Sequence, residues 1–83
     1  MSIKSSSLDM VRIAAAEMAE HHRSTGKSPE AIDKFEAGMA ELIAKGELLD
    51  DAFFAALPWD RSATTMQQGS RIARAINDAT KES

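Results

Sequence analysis

Large apolar residues recur at three- and four-residue steps through most of the chain, and no stretch alternates with period two for the length of a strand. The pattern predicts an all-α fold, a small bundle of about four helices over residues 7–23, 29–45, 50–57 and 61–80. In the first helix Leu8, Val11, Ala15, Met18 and Ala19 share one face, while Met10 and Ile13 lie on the other side as a second apolar patch in need of cover. Ser6 and Asp9 read as its capping signature and Ser24-Thr25-Gly26 as its stop. The second helix opens on Ser28-Pro29, a cap followed by the position where proline's missing N–H costs nothing. Ile32, Phe35, Met39, Leu42 and Ile43 form its stripe, and the Glu30–Lys34 and Glu41–Lys45 spacings mark its outer face. Gly38 sits inside this helix as a point where a neighbour can come close, and Lys45-Gly46 reads as its end.

The third helix, capped by Leu49 or Asp50, must finish before Pro58, because the residue preceding proline avoids helical geometry. Leu48, Phe53, Phe54, Leu57 and Trp59 are the densest group of large apolar residues. The fourth helix takes Asp60 or Ser62 as its cap. Thr65, Gly69, Ile72, Ile76 and Ala79 follow a heptad-like seam with Gln68 at its edge, suited to tight contact within the chain or between chains. Residues 1–5 and 81–83 are expected to fray, leaving one domain over residues 1–83.

Composition changes this picture in one respect. Of 83 residues, 43% are apolar, yet 15 of those are Ala and only 21 are larger. A core that small is marginal for a lone chain. A homodimer is therefore expected, with Met10, Ile13, Gly69, Ile72 and Ile76 as the self-association residues. The absence of Cys excludes disulfides and thiolate chemistry. No run approaches a membrane span, and MSIKSSS carries no apolar signal region, so a cytoplasmic protein without membrane contact is expected. The Ala-rich composition suits a bacterial or phage protein.

The net charge of −3 is unevenly placed. Residues 28–60 hold eight acidic and two basic residues, whereas residues 61–83 hold four basic and two acidic ones. The acidic middle repels phosphates, while the basic end can still meet them. Glu17, Glu20, His21 and His22 are the one cluster with metal-ligand chemistry, but no third converging ligand is evident. His21, His22 and Arg23 are better explained as cations at a helix C-terminus. Asp50-Asp51 is the tightest carboxylate pair, and neighbours on a helix point about 100° apart. The four glycines are scattered, and no nucleophile has a base beside it. The expectation is a non-enzymatic chain without metal or cofactor.

Three roles remain. The first is a regulator or inhibitor that binds another protein through an acidic and aromatic surface, with Glu36, Glu41, Phe53, Phe54 and Trp59 as contact residues. Trp59 beside Pro58 is a candidate anchor, and the five Met residues adapt to varied surfaces. The second is a small DNA-binding transcriptional regulator with a helix-turn-helix-like C-terminal half. Its helix would begin at Arg61, and Arg61, Gln67, Arg71 and Arg74 would meet bases or phosphates. The turn lacks the expected Gly, and the segment before it is acidic. The third is an accessory structural subunit of a larger assembly.

Overall fold

Each helix of the computed structural model, which describes residues 2–81, begins at a polar side chain that caps its first free N–H groups. Helix α1 spans Ile3–Ser24, α2 Pro29–Glu47, α3 Asp51–Ala55 and α4 Thr65–Thr80, and no strand occurs among the described residues. The protein is thus an all-α bundle, as the periodicity predicts. α1 is its spine: it contacts the other three helices, α4 most extensively.

The helix ends correct the sequence reading in several places. α1 is capped by Ser2, whose hydroxyl accepts from the Ser5 N–H, and not by Ser6, which lies inside the helix. The first turn is held from outside. The Lys4 N–H donates to Asp51 Oδ1 at 3.0 Å, and Lys4 Nζ donates to the Glu47 carbonyl at 3.1 Å. Residues 3–5, expected to fray, are pinned by these two contacts; residues 1, 82 and 83 lie outside the described residues. Gly26 adopts φ 83° just past α1, the left-handed turn that ends it cheaply. α2 starts at Pro29 behind the Ser28 cap, as read from the sequence, but runs through Gly46 to Glu47. α3 is shorter than expected; Asp50 caps it by accepting from the Phe53 N–H at 3.0 Å. α4 begins four residues later than expected. Thr64 and Gln67 form a reciprocal capping box, in which Thr64 Oγ1 accepts from the Gln67 N–H and Gln67 Oε1 accepts from the Thr64 N–H. Residues 61–63 are a turn instead, with Asp60 Oδ1 accepting from both the N–H and the hydroxyl of Ser62.

Leu8, Val11, Phe54, Ile72 and Ile76 make the buried core, with Met10, Met39, Leu42, Ile43 and Leu49 packed around it. Towards the other end of the α1–α2 pair, Ala19 and Ile32 are buried, and His22 lays its ring on Phe35 at a centroid distance of 5.1 Å. Gly69, Ile72 and Ile76 of the α4 seam are buried within the chain, which leaves them little surface to offer a second copy, whereas Thr65 and Ala79 of the same seam are exposed. The expected cluster around Trp59 divides. Phe54 is buried, Phe53 and Leu57 are half-buried, and Leu48 and Trp59 are 86% and 63% exposed.

Two glycines set the helix spacing. A Cβ on Gly69 would stand 2.5 Å from the Ala14 Cβ and 2.6 Å from the Met10 carbonyl oxygen, so α4 lies directly on the α1 backbone there. A Cβ on Gly46 would stand 2.7 Å from Leu8 Cδ2 and 3.0 Å from Ile76 Cδ1. Gly46 is therefore a packing residue and not the helix stop read from the sequence. Gly38, expected to admit a neighbour, faces open space.

These contrasts predict stabilities of opposite sign. Gly38→Ala should raise unfolding stability by about 0.5–1 kcal/mol through helix propensity alone. Gly69→Ala should lower it by about 1–3 kcal/mol, because the new methyl meets backbone that cannot give way. Urea unfolding followed by far-ultraviolet circular dichroism reads both; equal effects at the two positions would contradict the close α1–α4 approach.

Candidate functional site

With only five residues, α3 cannot roof the first turns of α1 and α4, and Leu57, Pro58 and Trp59 cross the gap as non-helical chain. Beneath and beside them lies an apolar cleft of about 500 Å³, lined among others by Ile3, Met10, Phe54, Trp59 and Gln68. A second hollow of about 290 Å³ opens on the other side of Leu57 and Pro58, where Arg71 and Arg74 join the lining. Gln68 borders both.

Gln68 is the unusual residue of the site. Gln68 is 2% exposed, and among the described residues neither Nε2 nor Oε1 has a hydrogen-bond partner. Leaving a buried amide unpaired costs about 1–3 kcal/mol, which makes Gln68 the costliest polar group at the cleft. The sequence placed Gln68 only at the edge of the α4 seam. The available signal was a polar residue one turn before Ile72, among positions that must be buried.

The turn that carries Trp59 is fixed by Asp60. The Ser62 hydroxyl and N–H, together with the Arg71 guanidinium at 3.3 Å, hold the Asp60 carboxyl below its ordinary value of 3.8. Trp59 itself stands 63% exposed at the rim of the cleft.

The other candidate residues fall in different places. Met10 is half-buried in the cleft wall, and Ile13, one turn further along α1, is 49% exposed. Glu36 pairs with Arg23 across the α1–α2 contact at 3.3 Å, and Glu41 pairs with Lys45 on the outer face of α2 at 3.8 Å. Neither lies at the cleft, so the expected acidic and aromatic surface is two separate regions. Of the nucleic-acid candidates, Gln67 is occupied in the capping box, Arg71 is paired with Asp60, Arg61 lies in the turn, and Arg74 is exposed on α4. The helix expected to begin at Arg61 does not include it. Among the described residues no three of His, Asp and Glu gather as metal ligands, and no helix is long and apolar enough to cross a membrane.

Comparison with known proteins gives no match: no family model, curated protein sequence or solved structure aligns significantly with the chain. The chemistry of the site therefore stands on its own geometry. A concave apolar surface with an aromatic rim can hold an apolar side chain.

Asp60 gives this region a defined pH response. A carboxyl whose value is lowered in the fold contributes stability above its unfolded value, and that contribution is lost as pH falls through the lower, folded value. The Trp59 turn should stay fixed from neutral pH to about 4 and loosen only below 3.8. Asp60→Asn should loosen it at neutral pH. Fluorescence anisotropy of the single Trp checks both, with helix content by circular dichroism as the control.

Proposed function

We propose that the chain is a non-enzymatic, cytoplasmic protein-binding module, a small regulator or inhibitor that acts by docking on another protein through the cleft bordered by Trp59. One observation carries the reading: an exposed Trp stands at the rim of an apolar cleft whose lining includes a buried Gln68 with no amide partner among the described residues. Protein interfaces concentrate their energy in aromatic anchors and in desolvated pockets with a few polar groups. The acidic outer side of α2, with Glu36 and Glu41, would steer a basic partner rather than anchor it. The DNA-binding reading has less support, since Gln67 and Arg71 already have partners in the chain.

The test is affinity capture from lysate of the source organism, with and without nuclease, using the chain and its Trp59→Ala variant as baits. A stoichiometric protein that survives nuclease and is lost with Trp59→Ala is the expected result. Charge reversal at Glu36 and Glu41 should reduce its rate of capture while leaving the chain folded. Recovery of nucleic acid, or of proteins that nuclease releases, would overturn the reading in favour of the basic C-terminal region.

A further inference from the structure

Residues 50–63 form a strap that connects α2 to α4 and lies on α1. Between Gly46 and Gln68, both buried, Phe54 is the one buried residue. It packs in the same cluster as Leu8, Val11, Ile72 and Ile76. Phe53 and Leu57 beside it are half-buried, and most of the strap is exposed. α3 finds its helix contact on α1 and makes none comparable with α2 or α4. A helix of five residues does not hold itself together in water, so the strap keeps its shape through what it touches.

The polar ties that fix it are few and stand one at each end. Asp51 Oδ1 accepts from the Lys4 N–H at 3.0 Å, and Asp60 Oδ2 accepts from the Arg71 guanidinium at 3.3 Å. Both bonds are exposed. The backbone bonds of the strap close on the strap itself: Ala56 N–H donates to the Ala52 carbonyl, Leu57 N–H to that of Phe54 and Ala63 N–H to that of Asp60. Among the described residues none joins its backbone to that of α1, α2 or α4. The flanking helices end on their own bonds. The Leu48 and Leu49 N–H groups donate back to Lys45 and Gly46 at the end of α2, and the Thr64–Gln67 capping box starts α4. The strap can therefore leave α1 without breaking a backbone hydrogen bond of any long helix. A segment with one buried anchor and exposed bonds opens at a lower free energy than the core it covers.

We infer that the strap is a conformational switch: residues 50–63 swing away from α1 as one unit, withdrawing Phe54 and uncovering the apolar cluster around Leu8 and Ile72 while α1, α2 and α4 stay folded. The closed form shows the narrow cleft, and the open form shows a wider apolar surface. A partner that contacts the uncovered cluster shifts the population to the open form by as much as it prefers that form. The inference does not depend on what docks at the cleft of the closed form.

The experiment is native-state hydrogen exchange of the full chain, read by NMR where rates report the opening equilibrium. The Phe53, Ala56 and Leu57 amides should exchange through one shared opening, faster than the buried amides of α1 and α4. Asp51→Ala should speed these three by about 3–10-fold, the loss of one hydrogen bond. Asp60→Asn, at the other end of the strap, should speed the same three amides. The discriminating variant is Ile32→Val, buried at the far end of the α1–α2 pair. It should speed the α1 and α4 amides by about 3–10-fold and leave the strap amides unchanged, because closed and open forms share the Ile32 contacts. Strap amides that accelerate together with α1 and α4 in Ile32→Val overturn the inference, since the strap would then open only when the whole chain unfolds. Phe53 and Ala56 amides indifferent to Asp60→Asn also overturn it, since α3 would then fray alone.

Discussion

The contact between α1 and α4 at Gly69 constrains the rest of the structure. With no side chain on Gly69, α4 comes down onto the Met10 carbonyl and Ala14, and Ile72 and Ile76 reach the core beside Leu8 and Val11. A core with so few large side chains can exclude water only if its helices lie close, because dispersion and burial both fall away across small gaps. Gly46 does the same for α2 against Leu8 and Ile76. Two missing methyl groups let α1, α2 and α4 share one small core.

The same economy produces the cleft. Apolar residues spent on the three-helix contact leave α3, five residues long, and the following loop to cover the remaining side. Phe54 turns inward and is buried, but Trp59 is held outward by the Asp60–Ser62 turn and the Asp60–Arg71 pair. Gln68 is buried, yet among the described residues its amide has no partner. The local conflict between burial and satisfaction falls at the concave surface, as expected where a structure is shaped for something besides its own stability.

Charge plays a smaller part. The ion pairs are between half-exposed or exposed groups, each worth about 0.2–1 kcal/mol. Arg23–Glu36 and Arg12–Glu47 tie α1 to α2 along their length, and Asp60–Arg71 ties the loop to α4. Their effect is on geometry more than on stability. They also absorb side chains that sequence alone offers for partner binding, Glu36 and Arg71 among them.

The sequence by itself determined the number of helices, their order and part of their inner faces: the periodicity places Leu8, Val11, Ile32, Ile72 and Ile76 inside, but it puts Met10, which packs on the core, on the far side of α1 and passes over the buried Ala14. Those features follow from local periodicity and from Ser28-Pro29, Asp50 and Pro58, whose effects act within a turn or two. It did not determine where α1 and α4 begin. Several Ser and Thr residues compete to cap them, and the choice is made by distant groups: Asp51 and Glu47 hold the first turn of α1, and Asp60 ties the loop ahead of α4 to Arg71. Nor did it assign the glycines correctly: helical position suggests close approach at Gly38 and a stop at Gly46, whereas Gly38 faces open space and Gly46 is the one packed against Leu8 and Ile76. Whether the α4 seam faced its own chain or another, and that Trp59 would stand outside while Phe54 went in, was decided by tertiary packing alone. Burial depends on which surfaces are left once the helices with the closest contacts have met, and no local pattern records that.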